Sequence, residues 1–281
     1  MTGNFAVIGH PIGHTMSPFI HKKLFSLKGI DVQYSALDIY PSSLSDSIFH
    51  TLSSLDGFNV TIPHKEAIIP SLSGIDESAQ KYNAVNCVRN DGGKLYGCST
   101  DAYGFTKALE TNGVSLSGDV LILGAGGAAR TLAREASDNG CHLTIAVRST
   151  SIEKANELKS WLSANGGKVE VTSLDKISGR FNLCVNATPV GMYPNTDDAA
   201  VGTAVLSKCS AVFDAVYNPN ETKLLKLAKS LGLKCVGGME MLVWQAVKAH
   251  EFWYNAKFSA DEVSKIIIEA NVEMERIFYA K

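Results

Sequence analysis

The stretch Val120-Leu121-Ile122-Leu123-Gly124-Ala125-Gly126-Gly127-Ala128-Ala129-Arg130 decides how this chain is read. Four apolar residues, two of them β-branched, read as a buried strand and run straight into Gly-x-Gly-x-x-Ala. Helix formers follow as far as Asn139, and Gly140 stops them. A strand, a glycine turn and a helix in that order are the context a dinucleotide-binding turn requires. Gly124 permits the tight turn, Gly126 lets the backbone approach a pyrophosphate, and Ala129 keeps helix and strand close. Free N–H groups over Gly124, Ala125, Gly126, Gly127 and Ala128 then face the phosphates. The plainer reading is a tight strand-to-helix turn that binds nothing.

The next strand, Leu143–Val147, selects the cofactor. An NAD site places an acidic residue about 20 positions beyond the motif. Here the strand runs out into Arg148-Ser149-Thr150, with no carboxylate. A guanidinium pairs well with a 2′-phosphate, and the Ser149 and Thr150 hydroxyls add donors, so the expected cofactor is NADP. The competing reading of Arg148 is a solvated surface arginine.

Outward from this unit, short apolar runs recur at Phe5–Ile8, Phe58–Ile62, Leu183–Val185 and Val212–Val216, with helical segments between them. Such alternation predicts parallel sheets with helices on both faces. The 281 residues suffice for two α/β domains. Asn90-Asp91-Gly92-Gly93 reads as a hairpin turn. A helix from about Ala102 to Asn112 then precedes the strand at Val120. The expected fold is α/β with two domains and a cleft between them. Residues 1–101 plus 238–281 form a substrate domain with a mostly parallel sheet, and residues 102–237 form a Rossmann-like NADP-binding domain. Near the end, Ser259-Ala260-Asp261-Glu262 is a capping-box candidate. Val263, Ile266, Ile267, Ala270, Met274, Ile277 and Phe278 behind it share a helical face, expected to pack on the N-terminal domain.

Composition narrows the classes. Hydrophobic residues make up 45% and charged residues 19%, which predicts a packed core. A net charge of -2 without a basic run argues against nucleic acid or an anionic membrane as partner. The longest apolar runs are too short to span a bilayer, and the N-terminus lacks the charged and apolar regions of a signal peptide. Six scattered cysteines without CxxC spacing suit reduced thiols in a cytoplasm. His10, His14, His21 and His64 lack the spacing of metal ligands, so no metal is expected.

Candidate catalytic residues lie in the first domain. In Gly57-Phe58-Asn59-Val60-Thr61-Ile62-Pro63-His64-Lys65-Glu66 a strand passes into a helix, and Asn59 and Thr61 share one strand face. Lys65 falls in the first helical turn, where the dipole disfavours a cation; that suits a group that gives and takes a proton. Pro63 is expected at the first helical position. Asp101 reads as a helix N-cap or as a carboxylate that holds Lys65. Asn86 is a donor and acceptor near the same strand ends, or a turn residue. Thr15 and Ser17, on a loop before a helix, suit a carboxylate; Ser17 before Pro18 equally suits a helix cap.

Taken together, these segments resemble the shikimate dehydrogenase family. The resemblance runs from Ile8 to about Tyr254. It is carried by Gly9–Pro18, Asn59–Lys65, Ala84-Val85-Asn86, Thr100-Asp101, Gly124–Arg130, Asn186–Met192, Asp214–Pro219 and Met241–Ala246. It implies a reversible, NADP-linked reduction of 3-dehydroshikimate to shikimate in aromatic amino-acid biosynthesis, by a monomer or homodimer. It also implies Lys65 and Asp101 as the catalytic pair and Thr15 and Ser17 as carboxylate-binding hydroxyls. Ring-hydroxyl contacts would come from Asn59, Thr61, Asn86, Tyr217 and Gln245. Thr188, Val216, Gly238 and Met241 would border the cofactor.

Several positions depart from the family pattern. Thr15 replaces a serine, Ser99 an asparagine, Ala102 a glycine, Val147 an asparagine and Asn83 a glycine. Glu240 stands where a glycine is usual. Relatives that take quinate or an amino analogue share most of these motifs, so those substrates stay open. A folate-linked dehydrogenase fits Thr15, Ser17 and Gln245 poorly. A silent dinucleotide-binding sensor is the alternative of another class, and it would not require Lys65 and Asp101.

Overall fold

The computed structural model describes residues 2–13 and 15–279, so His14 lies outside the described residues. The chain divides into two compact units. One comprises the residues up to Gly104 together with Leu242–Ala270; the other comprises Phe105–Met241 together with the residues from Asn271 on.

The first unit holds a six-stranded sheet among the described residues: β1 (Thr2–Gly9), β2 (Asp31–Asp38), β3 (Gly57–Val60), β4 (Gly74–Ile75), β5 (Cys87–Asp91) and β6 (Lys94–Cys98). Their order is β2-β1-β3-β5-β6-β4. β5 alone runs against its neighbours, β3 and β6; the other pairings are parallel. The sheet is therefore mostly parallel. Its helices are α1 (Ser17–Leu27), α2 (Leu44–His50), α3 (His64–Ala67) and α4 (Glu77–Tyr82).

Apolar packing on both faces explains the unbroken run in β1. Ala6 and Ile8 join one core with Phe58, Val60, Val85 and Val88. Phe5 and Val7 join another with Phe25, Cys87, Cys98 and Trp253. A strand buried on both sides reads as continuous hydrophobicity rather than alternation.

The reversal of β5 has a chemical consequence. Parallel strands β3 and β6 end where antiparallel β5 begins, with Asn59 opposite Cys87 and Cys87 opposite Cys98. Thr61 and Lys65 follow β3, Asn86 precedes β5, and Asp101 follows β6. One edge of the sheet thus gathers residues far apart in sequence.

The second unit begins within α5 (Asp101–Thr111). Its strands are β7 (Asp119–Leu123), β8 (His142–Val147), β9 (Lys168–Ser173), β10 (Phe181–Asn186), β11 (Cys209–Asp214) and β12 (Lys234–Val236). They form one sheet, all parallel, in the order β12-β11-β10-β7-β8-β9. Read from β9, that is the 3-2-1-4-5-6 order of a doubly wound nucleotide-binding sheet, with its switch point between β7 and β10. Helices α6 (Gly127–Asp138), α7 (Ile152–Ala164), α8 (Thr203–Leu206) and α9 (Lys223–Ser230) connect the strands. Val120 and Ile122 face one core, and Leu121 and Leu123 the other.

Two helices complete the chain, α10 (Gly238–Tyr254) and α11 (Ala260–Phe278). The capping box forms: Ser259 N donates to Glu262 Oε2 at 2.7 Å, and Glu262 N to Ser259 Oγ at 3.2 Å. Val263, Ile266, Ala270 and Met274 are buried, whereas Ile277, expected on the same face, is 49% exposed. Residues from Asn271 on group with the second unit, although the sequence pattern assigns them to the first. Local bonds account for this. Asn220 Nδ2 donates to Asn271 O at 3.2 Å, Tyr279 Oη to Asn218 Oδ1 at 2.8 Å, and the Phe278 ring lies 5.6 Å from that of Tyr193.

Smaller adjustments concern element ends. Pro63 is the N-cap of α3 rather than its first residue, because β3 stops at Val60 and Thr61–Pro63 turn the chain. β11 stops at Asp214, where Val216 N bonds back to the carboxylate. Among the described residues, no helix is long and apolar enough to cross a membrane, and no cluster of three metal-ligating side chains occurs.

Candidate active site

In the first unit a hydrogen-bonded lattice occupies the edge where β3 and β6 end. Lys65 Nζ donates to Asp101 Oδ2 at 2.5 Å. Neither side chain is sealed; they retain 28% and 15% exposure. The Lys65 main chain is pinned too, its carbonyl accepting from Val85 N at 2.8 Å. Asp101 Oδ1 accepts from Asn86 Nδ2 at 2.8 Å. The carboxylate therefore has one oxygen on the amine and the other on a buried amide.

Asn86 is the hub. Its Nδ2 also donates to Thr100 Oγ1 at 2.9 Å and Gln245 Oε1 at 3.3 Å. Its Oδ1 accepts from Thr100 N at 2.7 Å. Gln245 is oriented from behind, since its Nε2 donates to Leu242 O at 2.9 Å. Asn59 Nδ2 donates to Asn86 O at 3.2 Å, and Asn59 Oδ1 accepts from the buried Tyr34 hydroxyl at 2.6 Å. Of the residues the sequence singles out, Asn59, Lys65, Asn86, Asp101 and Gln245 belong to this one lattice. Asn86 is not a turn residue, and Asp101 is the first residue of α5.

Thr61, Thr15 and Ser17 belong to the same unit as this lattice. Gly9 closes the gap: a Cβ there would stand 2.5 Å from Thr61 Cγ2. Ser17 does not cap its helix. It is the first residue of α1, and its N–H donates to Thr15 Oγ1 at 3.2 Å. Tyr217 belongs to the second unit.

Two lattice members have no mark of their own in the sequence. Thr100 is fully buried; its only signal is adjacency to Asp101. Tyr34 lies on β2, where it alone is buried, so no alternation marks the strand. His64 is a satisfied core histidine, its Nε2 2.7 Å from Ile39 O.

The second unit carries the glycine turn at its switch point. Gly124 follows β7 with φ +107°, a left-handed conformation that favours glycine. A Cβ there would also come within 2.9 Å of Thr188 Cγ2, on the loop that follows β10. Gly126 and Gly127 differ, since a Cβ on either would meet nothing within 4 Å. Gly126 is the N-cap of α6 without a side-chain bond, and no acidic residue sits in the first turn. The start of α6 thus offers uncapped N–H groups over open glycines. Arg130 is committed elsewhere, its guanidinium 4.0 Å over the Trp161 ring. Arg148 and Ser149 follow β8 and are exposed.

Thr188 is held by Asn186, whose Oδ1 accepts from Thr188 N at 3.1 Å and Thr188 Oγ1 at 2.6 Å. Gly238 opens α10 against the end of β11, where a Cβ would stand 2.5 Å from Ala215 O. Glu240, the unusual residue two positions on, accepts from Asn112 Nδ2, and burial raises its carboxyl pKa. Met241 packs on the core below.

Comparison with known proteins agrees with both units. Residues 7–88 match the family described as shikimate dehydrogenase substrate binding domain. The shikimate dehydrogenase (NADP(+)) of Clostridium perfringens strain 13 is 39% identical over 268 residues, 94% of this chain and 97% of that protein. A shikimate dehydrogenase crystallised with NADP+ superposes with a TM-score of 0.87 at 36% identity, covering 95% of each chain. The shikimate 5-dehydrogenase of Thermus thermophilus, solved with NADP(H) and shikimate, gives 0.85 at 32% identity, covering 95% of this chain and 99% of that one. The chain belongs to the shikimate dehydrogenase (NADP+) family of oxidoreductases.

Proposed function

We propose that the protein catalyses the reversible NADP-linked reduction of 3-dehydroshikimate to shikimate, with Lys65 as proton donor and acceptor and Asp101 as its partner. The carrying observation is the Lys65–Asp101 contact inside a lattice of buried amides and hydroxyls. A small polyhydroxylated ring needs many fixed donors and acceptors, and this sheet edge supplies them. Thr15 and Ser17 suit the ring carboxylate. Asn59, Thr61, Asn86 and Gln245 suit ring hydroxyls, with Tyr217 assigned to that role by resemblance alone.

The glycine turn fits a dinucleotide. Uncapped N–H groups at the start of α6 suit phosphate, and Gly126 and Gly127 leave room for it. Gly124, Ala125, Gly126, Gly127 and Ala128 would hold the pyrophosphate, and Arg148 and Ser149 the 2′-phosphate. Thr188, Val216, Gly238 and Met241 would line the nicotinamide end. When bound, NADPH supplies the hydride that the ketone carbon accepts.

The ketone oxygen then gains negative charge. The Lys65 ammonium stabilises it and delivers the proton, a contribution of about 10²–10⁴-fold for acid–base catalysis. Asp101 keeps the amine aimed and is itself fixed by Asn86. In the oxidative direction the neutral amine takes the hydroxyl proton as hydride leaves the carbon.

Nicotinamide absorbance tests the reading. Mixing the protein with NADP+ and shikimate is expected to reduce the nicotinamide faster than does NAD+ with shikimate, or NADP+ with quinate. Faster turnover of quinate would reassign the substrate. No reduction with any pair would favour a binding protein without catalysis.

A further inference from the structure

The second unit contains a buried carboxylate that this mechanism does not use. Asp214 ends β11 with no exposed surface. Its Oδ1 accepts from Asn186 Nδ2 at 2.8 Å and from Val216 N at 3.0 Å. Its Oδ2 accepts from Thr222 Oγ1 at 2.6 Å. Burial nevertheless raises its pKa to about 6, against the pull of those three donors. Taking a carboxylate out of water is costly, and an apolar residue would close a strand end more cheaply. The compensation lies in what the three donors belong to.

Asn186 ends β10 and holds Thr188, which in turn lies against the Gly124 turn. Val216 and Ala215 form the ledge on which Gly238 packs. Thr222 caps α9, accepting from Leu225 N at 3.3 Å. One carboxylate therefore ties together the loops after β10 and β11 and the start of α9. Thr188, Val216 and Gly238, all assigned above to the nicotinamide end, hang on it directly or through one residue.

We propose that Asp214 is a positioning residue for cofactor binding: through Asn186 and Val216 it sets the loops that receive the nicotinamide end of NADP(H). The proposal rests on the cofactor assignment above but not on the substrate. An apolar residue would leave the Asn186 amide and Val216 N–H unpaired, and an asparagine would turn one acceptor into a donor.

The test is NADPH binding, followed by the fluorescence of the bound nucleotide, in Asp214→Asn, Thr222→Val and Thr222→Ser. Circular dichroism checks folding, and calorimetry follows shikimate binding to the first unit. Loss of a hydrogen bond to a charged group predicts that Asp214→Asn raises the NADPH Kd by at least about tenfold. Thr222→Val should move it the same way by less. Thr222→Ser, which keeps the hydroxyl, should bind as wild type does, and the shikimate Kd should not change in any of the three.

Unchanged NADPH affinity in folded Asp214→Asn and in Thr222→Val overturns the proposal. So does an equal loss of NADPH and shikimate affinity, which would mark a purely structural role. If Asp214→Asn does not fold, the two Thr222 variants decide. Wild-type protein that binds NADPH but does not oxidise shikimate would sink the substrate reading and leave Asp214 standing. Wild-type protein that does not bind NADPH would sink both.

Discussion

We assign the preference for NADP over NAD to one side chain, Arg148. It follows β8 where NAD-selective sheets place a carboxylate, and it is exposed, free to meet a 2′-phosphate. Replacing it by aspartate exchanges attraction for repulsion at that phosphate. Arg148→Asp should raise the Michaelis constant for NADPH far more than that for NADH, measured from initial rates over a range of each nucleotide. Equal effects on the two would make Arg148 an ordinary surface residue. At this scale the sequence is most informative where a residue type is chemically odd for its place. Lys65 at a helix start and Arg148 after a strand both stand out for that reason. Asp101 is also part of the lattice, but nothing local separates its two readings. Only the contact with Lys65 does. Thr100 and Tyr34 stay silent because a buried hydroxyl has no pattern until its partners are known.

At the scale of elements, legibility follows burial. β1, β7, β8 and β10 are packed on both faces or in the sheet centre, and their apolar runs read as strands. β2 shows water most of its length, and β12 has only three residues, so neither has a period to read. The ends of strands are less legible than their existence. β3 stops before Thr61 and β11 at Asp214, whose carboxylate takes the Val216 N–H, and polar residues in a β-branched context leave no mark in hydropathy. Caps are legible where they are reciprocal. The Ser259–Glu262 pair joins two bonds at the start of α11. Ser259→Ala removes one of them, and the loss of an N-cap costs about 1 kcal/mol. The urea midpoint should fall accordingly at unchanged slope; an unchanged midpoint would mean that packing of Val263 and Ile266 alone holds the helix start.

At the scale of the whole molecule, the sheet orders explain why motifs scattered over the chain form two sites. In the first unit an antiparallel β5 turns Asn86 toward Lys65 and Asp101. In the second the switch point puts Gly124 beside Thr188. Alternating strands and helices announce both sheets, and the Asn90–Gly93 turn announces the β5–β6 hairpin; the pairing of β5 with β3 and the return of residues 271–279 to the second unit depend on contacts that no local pattern encodes. Stability against acid is also a whole-molecule property. His250 is buried beside His21, Nε2 to Nδ1 at 3.1 Å, and burial lowers its pKa to about 3. The unfolded chain has an ordinary value near 6.5, so it takes up the proton first as pH falls. This contribution is present above about pH 6.5 and is lost progressively toward pH 3, amounting to about 2 kcal/mol between pH 7 and pH 5. His21, whose pKa burial also lowers, acts in the same direction. Urea titrations at the two pH values should show that loss, and His250→Phe should flatten it even if it lowers stability at both. An equally steep loss in the variant would place the acid sensitivity elsewhere.

Proton transfer at the first unit's sheet edge is proposed to run through Lys65. The direct measurement is turnover of NADP+ and shikimate by Lys65→Met, taken beside the shikimate Kd of the same variant. Methionine keeps an unbranched side chain one atom shorter and removes the amine. The expected result is turnover lower by about 10²–10⁴-fold, the usual worth of a general acid–base group, with shikimate still bound within a few-fold of wild type. Near-normal turnover in that variant would remove Lys65 from proton transfer.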